Sequence, residues 1–177
     1  MKKYMGRILA GLAVLALLTL VAWAYSYSSP MTARASDEWS RGMTIGRTPV
    51  NRAIAMQPAP EGGVYMVWPS TEGGMEIAHM GVDGEVLLQL TLPIGEDNGR
   101  EPQLQVGHDG RLHILWRQRG EPHATIQYAL LEADGTLVNQ PVTLSDPDHW
   151  VVDPPRLVLD DDGSLHTIWA DEIGVHW

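Results

Sequence analysis

Residues 112–116 read LHILW, residues 165–169 read LHTIW, and residues 64–68 carry a looser version, VYMVW. Each stretch ends in a tryptophan, and the spacings between these tryptophans are 48 and 53 residues. Self-similarity at a period of about 40–50 residues is typical of proteins built from one recurring supersecondary unit. The sequence therefore indicates three copies of one unit.

Asp-Gly pairs divide the copies into strands. The pairs are Asp83-Gly84, Asp109-Gly110, Asp134-Gly135 and Asp162-Gly163. Asp-Gly between apolar runs is a strong hairpin signal, and we expect type I′ turns, which need positive φ at both central residues. The middle copy then resolves into a four-stranded antiparallel meander, with strands near residues 103–107, 111–118, 124–132 and 136–144. The third strands are marked by three motifs that we align with one another: Ile77-x-His79, Ile126-x-Tyr128 and Val175-x-Trp177.

A meander repeated at this period predicts an all-β fold, a partial β-propeller of four-stranded antiparallel blades. We place blade 1 at residues 51–98, opening with a strand near residues 52–57, blade 2 at residues 99–147, and an incomplete blade 3 at residues 148–177. Propellers close with about 4–8 blades, so this ring would need an oligomer or further C-terminal blades to close.

The N-terminal segment predicts export. Residues 8–24 carry no charge and follow Lys2, Lys3 and Arg7. Such a run is long enough to span a bilayer, and positive charge stays cytoplasmic. We expect a cytoplasmic basic region at residues 1–7, a transmembrane anchor or signal helix at residues 8–25 that contacts the membrane, and an extracytoplasmic linker at residues 26–50. The alternative is a cleaved signal, with small-x-small sites at residues 22–24 and 33–35, and a secreted product.

Charge excludes some partners. Residues 1–36 hold four basic side chains and no acid, whereas residues 37–177 hold 8 basic and 22 acidic side chains, a net charge of −14. An acidic domain repels phosphate backbones, so we expect no nucleic-acid binding. The chain has no cysteine, P-loop, HExxH motif or GxSxG elbow, so we predict no cofactor and no metal.

The repeat resembles the blades of sialidase-type (BNR-like) β-propellers. The matching pattern runs over residues 51–177 and reads Pro-x-Leu-x-Val/Leu, Asp-Gly-x-Leu-His-x-x-Trp, Ile-x-Tyr and a further Asp-Gly turn. The family's Asp-box is absent in complete form, and residues 132–136 (EADGT) are a degenerate trace of it. The resemblance implies a glycosidase with three arginines, a Tyr–Glu pair and an acidic Asp. None of these can be matched here, so no catalytic residue is assigned.

Two residue types recur at fixed repeat positions. His113 and His166 are equivalent and could be catalytic or metal-binding, but a catalytic group is needed once per ring, so a structural role is favoured. The tryptophans could stack on sugars, but filling the space between blades is favoured because each ring removes a large area from water. These structural tryptophans are Trp68, Trp116 and Trp169.

Two loops are candidates for binding. Residues 160–163 (DDDG) suggest calcium, but an EF-hand ligand series is missing and an acidic hairpin turn is the plainer interpretation. The linker at residues 145–150 (SDPDHW) is the candidate ligand site, against the alternative of ordinary turn chemistry. The candidate ligand-binding residues are Arg100, Glu101, Asp146, Asp148, His149, Trp150 and Arg156.

Two functions follow as hypotheses. The first is a membrane-tethered extracytoplasmic module for glycan or protein recognition or scaffolding. It would bind its ligand through loops at one face of a ring. The second is the N-terminal part of a sialidase-like exo-glycosidase whose catalytic residues lie beyond residue 177. In both, this chain on its own is not expected to be an enzyme.

Overall fold

The computed structural model describes residues 42–50, 52–94 and 99–177, and residues 45–177 form one structural unit. The predicted segments 1–7 and 8–25, and most of the predicted linker 26–50, lie outside the described residues. The described residues form eleven β-strands and contain no α-helix, which confirms the all-β prediction. Within these ranges no helix has the length and hydropathy needed to cross a bilayer.

Three antiparallel sheets follow one another along the chain, and the strands of each sheet pair in chain order. Sheet 1 contains β1 (Ala55–Pro58), β2 (Val64–Pro69), β3 (Met75–Met80) and β4 (Val86–Leu92). Sheet 2 contains β5 (Arg100–Val106), β6 (Leu112–Gln118), β7 (Thr125–Leu131) and β8 (Val142–Thr143). Sheet 3 contains β9 (Arg156–Leu159), β10 (Leu165–Asp171) and β11 (Gly174–His176).

The four-stranded meander predicted for the middle copy is confirmed, but its fourth strand is much shorter than expected. The predicted strand at residues 136–144 reduces to β8, with an isolated bridge between Leu131 and Leu137. Pro141 directly precedes β8 and has no N–H to donate, so it ends the ladder between the bridge and the strand.

The Asp-Gly turns form at the predicted places, but the expected type I′ geometry is wrong. In the β5–β6 hairpin, the amide of Gly110 donates to Gly107 O (2.9 Å), and the amide of Gly107 donates to Arg111 O (2.8 Å). Gly110 has φ +81°, whereas Asp109 is not in the left-handed region. This is a type I turn followed by a glycine bulge. Asp109 Oδ1 accepts the Arg111 amide (3.1 Å), which holds the aspartate in its ordinary conformation.

The alignment of the third strands is also wrong by two residues in the first copy. The residue after each repeated tryptophan pairs with Met75 in sheet 1, Ile126 in sheet 2 and Val175 in sheet 3. Met75, rather than Ile77, is therefore the equivalent of Ile126. The reason is that the loops before the third strands differ in length, and loop length sets hairpin register.

Each sheet has two faces that can be compared between copies. The forward face carries the residue before the repeated tryptophan, which is Val67 in sheet 1, Leu115 in sheet 2 and Ile168 in sheet 3. The backward face carries the tryptophan itself, because successive side chains in a strand point to opposite faces.

The core lies between sheets, forward face against backward face. Strand β5 contacts β1 and β2 on one side and β9 on the other. One cluster joins Tyr65, Val67, Met75, Ile77 and Leu92 of sheet 1 to Leu104, Leu112, Ile114, Trp116, Ala129 and Leu131 of sheet 2. A second cluster joins Leu115, Ile126 and Tyr128 of sheet 2 to Val151, Leu157, Leu165 and Trp169 at sheet 3.

Candidate functional site

Arginines converge at one end of sheet 2. Arg100 opens β5 and pairs across the ladder with Arg117 near the end of β6, and Arg119 follows two residues later. The register is irregular between Arg100 and Gln103, and Glu101 within this bulge has φ +54°. A bulge at a sheet end re-aims side chains, and a strained non-glycine residue is a common mark of a functional site.

These arginines border an open cleft. The cleft has a volume of about 460 Å³ and is lined by Arg100, Arg117, Arg119, Ala124 and Trp150. Trp150 is 59% exposed, so a flat apolar ring stands in solvent beside three guanidinium groups. Such a combination can hold an anionic group at one end and a flat apolar surface at the other.

The positive charges in the cleft are only partly compensated. Burial lowers the pKa of Arg100, and repulsion from Arg52, Arg117 and Arg119 lowers it further, while Glu101 opposes the shift. Glu101 Oε1 accepts a hydrogen bond from Arg117 Nη2 at 2.9 Å. Among the described residues, Arg100 therefore lies within electrostatic reach of three other guanidinium groups and of the Glu101 carboxylate.

Two N–H donors in this arginine cluster lack an acceptor within the described structure. The Nε atoms of Arg52 and Arg100 are buried and have no hydrogen-bond partner among the described residues, and Glu101 Oε2 is in the same position. A buried polar group without a partner costs free energy, and such groups in folded proteins usually have a functional reason. The guanidinium planes present further N–H groups in a fork that fits a carboxylate.

The predicted linker site is divided by the structure. Trp150, Arg100 and Glu101 belong to the arginine cleft, whereas Asp146 and His149 turn toward sheet 3. His149 Nδ1 lies 3.9 Å from Asp171 Oδ2 and 4.0 Å from Asp146 Oδ2.

The remaining predicted linker residues lie away from the cleft. Asp148 is exposed and its amide donates to Asp146 Oδ1 (2.9 Å), which is turn chemistry. Arg156 opens β9, is exposed, and does not line the cleft. The linker itself is anchored because the Ile126 amide donates to the buried hydroxyl of Ser145 (2.9 Å).

Asp171 is a buried carboxylate that lies close to both His149 and His176. Its Oδ2 lies 2.8 Å from His176 Nε2, and its Oδ1 accepts the amides of Ile173 (2.9 Å) and Gly174 (3.1 Å). Burial raises the pKa of Asp171, but the close His176 ring nitrogen and the hydrogen bonds from the two amides outweigh it, so the pKa lies below its usual value. These contacts close the β10–β11 hairpin and hold Asp171 as a structural anion.

The recurring rings lie three residues before each repeated tryptophan, and in sheet 2 His113 is about 13 Å from Arg117 by the rise of four residues of strand. His113 Nδ1 is 2.9 Å from the Tyr128 hydroxyl, and burial lowers the pKa of His113. His166 Nε2 is 2.9 Å from Asp160 Oδ2. Tyr65 takes the same position in sheet 1 and donates to Glu61 Oε1 (3.0 Å); burial, helped by Glu61, raises the pKa of Tyr65 to about 12.

The acidic loop at residues 160–163 uses its oxygens within the turn. Asp160 Oδ1 accepts the amides of Asp162 (3.0 Å) and Ser164 (2.8 Å), which leaves Oδ2 to His166. A second cleft, of about 370 Å³, separates this loop from the β5–β6 turn. In the part of the chain that the structure describes, no group of three or more His, Asp or Glu side chains is placed to hold a metal ion.

Sequence reasoning missed Arg52, Arg117 and Arg119. Two signals were available: Arg117-x-Arg119 places both side chains on the same face if the strand direction continues, and lysine is absent from residues 42–177, so every positive charge there is an arginine or histidine. The position of Arg117 holds Pro69 in sheet 1 and Ala170 in sheet 3, so the arginine does not belong to the repeat.

No known protein-family model matches this chain, and a search of the curated proteins finds no match. The arguments for function below therefore start from the geometry of the arginine cleft.

Proposed function

We propose that this chain is a membrane-tethered, extracytoplasmic segment of a sialidase-type (BNR-like) β-propeller that recognises a carboxylate-bearing glycan in the arginine cleft. The observation that carries the proposal is the convergence of Arg52, Arg100, Arg117 and Arg119 in a chain of net charge −10. The N-terminal segment 8–25 is its proposed anchor, with the basic residues before it in the cytoplasm.

The sheet arrangement supports the propeller part of the proposal. In a propeller, each blade is a meander and the first strands of successive blades neighbour one another around the axis. Here β1, β5 and β9 are the first strands of their sheets, and β5 contacts both β1 and β9. The loops of the arginine cleft then lie at one end of the blades, where propellers commonly bind ligands.

The cleft supports an anionic ligand. Guanidinium–carboxylate hydrogen bonds are charge-assisted and commonly bidentate, which gives them about twice the strength of neutral ones. A carboxylate bound between Arg100, Arg117 and Arg119 would relieve the repulsion that lowers the pKa of Arg100.

The surroundings of the cleft favour a compact acidic sugar over an extended polyanion as the ligand. Trp150 offers an exposed ring on which a sugar face can stack beside the bound carboxylate. An extended polyanion would reach beyond the arginines onto a domain whose net charge is −14 over residues 37–177, where it would be repelled. A compact acidic saccharide satisfies both conditions.

The test is calorimetric titration of the detergent-solubilised full chain with glucuronate, using glucose as the uncharged match. We expect glucuronate to bind at least about tenfold more tightly than glucose, because charge-assisted hydrogen bonds are worth about 1.5–3 kcal/mol each. Arg119→Gln should remove most of this difference, and Arg156→Gln, an exposed arginine outside the cleft, should not. Equal binding of both sugars, or equal effects of both variants, would overturn the proposal, and binding of an acidic peptide instead would replace the glycan with a protein ligand.

A second candidate is the N-terminal part of a sialidase-like exo-glycosidase. It is favoured by one observation, the carboxylate of Glu101 held among the arginines, 2.9 Å from Arg117. The remaining catalytic residues would then lie beyond residue 177. Hydrolysis of a fluorogenic sialoside by the intact protein tests it: turnover above background would make the cleft an enzyme subsite, and tight glucuronate binding without turnover supports recognition alone.

A further inference from the structure

The outer face of sheet 3 matches the surfaces that are buried elsewhere in the protein. Val67, Leu115 and Ile168 occupy one repeat position on the forward face, directly before the tryptophan. Val67 and Leu115 are 0% exposed because the next sheet covers them, whereas Ile168 is 45% exposed. The same position is thus an interface in sheets 1 and 2 and a solvent surface in sheet 3.

A second repeat position shows the same contrast. Met75 and Ile126 are fully buried on the third strands of sheets 1 and 2, but their equivalent Val175 is 70% exposed. Val158 on β9 is also exposed, and its partner across the ladder is His166 on the forward face. The forward face of sheet 3 therefore carries an apolar surface of the kind that joins sheets within this chain.

The opposite end of the structure shows the complementary contrast. Leu104 of sheet 2 and Leu157 of sheet 3 lie on backward faces and are buried by the preceding sheet. Their equivalent in sheet 1 is Met56, which is 61% exposed. Residues 45–50 cover part of this face, where Gly46 lies against Trp68, but Met56 and Ile54 stay exposed.

We infer that the forward face of sheet 3 docks on the backward face of sheet 1 in a second copy of this chain. The occupant follows from continuity: both sheet–sheet contacts join a forward face to a backward face, and among the described residues the faces that no neighbouring sheet covers are one of each kind. This inference rests on the propeller packing proposed above and is independent of the ligand.

The copies associate head to tail. Three sheets from each of two copies make six, which lies within the range of about 4–8 blades at which propellers close. Two identical head-to-tail contacts between the described sheets form a closed ring and cover both the forward face of sheet 3 and the backward face of sheet 1. Apolar surfaces of this kind in soluble domains commonly mark protein–protein contacts.

Single cysteines test the contact, because the chain has none of its own. Chains carrying Met56→Cys and chains carrying Ile168→Cys are expressed together with different tags, and their membranes are treated with a mild oxidant. We expect a disulfide-linked species of twice the chain mass that contains both tags. Val158→Cys, on the same face as Ile168, should replace Ile168→Cys and guards against a variant that does not fold.

The matched control is Val142→Cys. Val142 lies on the edge strand of sheet 2 and is 46% exposed, as Ile168 is, but it belongs to neither end of the sheet stack. It should form no linked species with Met56→Cys. Linkage of Ile168→Cys to itself would show a symmetric contact in place of the head-to-tail one, and no linkage at all would show that something other than a second copy covers the face. Either result overturns the inference, and neither alters the glucuronate titration.

Discussion

Leu115 and Ile168 occupy the same repeat position in different surroundings, and we predict very different costs for replacing them with alanine. Leu115 is fully buried between sheets 2 and 3, against Ile126, Val151 and Leu157. Removing its three carbons forfeits about 0.8 kcal/mol of transfer free energy each and leaves a cavity, so Leu115→Ala should cost about 2–5 kcal/mol. Ile168 is 45% exposed and leaves no closed cavity, so Ile168→Ala should cost only about 1 kcal/mol.

Urea unfolding followed by tryptophan fluorescence measures both free energies. For a slope of about 1–3 kcal/mol per molar, the Leu115→Ala midpoint should fall by about 1–2 M and the Ile168→Ala midpoint by a few tenths of that. The protein is diluted until its midpoint no longer depends on concentration, so that association cannot bury Ile168. Equal midpoint shifts for the two variants would refute the argument that sheet 3 covers sheet 2 while its own forward face is free.

Two further predictions concern a buried histidine and a turn. Burial lowers the pKa of His113 in the folded state, so on acidification the unfolded chain binds a proton at a higher pH than the folded protein does. The free energy of unfolding should therefore be highest above the unfolded pKa of about 6.5 and should fall as the pH drops below that value. In His113→Gln the urea midpoint should depend less on pH between about pH 7 and 5, whereas the exposed His108→Gln should keep the original dependence. In the β3–β4 turn, Gly84 has φ +81° and open space around its Cβ position, so Gly84→Ala should cost about 1–2 kcal/mol from backbone conformation alone. Gly84→Asn should cost less, since asparagine tolerates this conformation. Urea unfolding of both variants measures the two costs, and equal losses would contradict the turn assignment.

The order of the strands was predictable because short-range sequence motifs determine the hairpins. Apolar runs separated by Asp-Gly place the hairpins, and every such glycine has a positive φ in the structure. What failed depends on atoms that the pattern does not show. The aspartate side chain bonds the backbone two residues on and selects a type I turn with a bulge, and loops of different length before the third strands shift the alignment of Ile77 against Ile126.

The site was only partly predictable because repeats highlight what the copies share. Arg100, Glu101 and Trp150 were already candidate ligand-binding residues from the sequence. Arg52 is distant from Arg100 in sequence and comes close enough to lower its pKa only through the packing of β5 against sheet 1. A residue that departs from the repeat, as Arg117 does where Pro69 and Ala170 stand elsewhere, is free of the packing role of its position and can therefore serve a ligand.

The net negative charge of the domain and the positive charge of the arginine cleft act on an anionic ligand over different distances. At physiological ionic strength charges are screened over about 8 Å, so a small carboxylate within the cleft responds mainly to the guanidinium groups that line it. A longer anion extends past that distance and meets the carboxylates that give residues 37–177 their net charge of −14. If the cleft binds the proposed ligand, the charge distribution that is expected to repel nucleic acid admits a compact acid at one place, where Trp150 adds a surface for the uncharged remainder of the ligand.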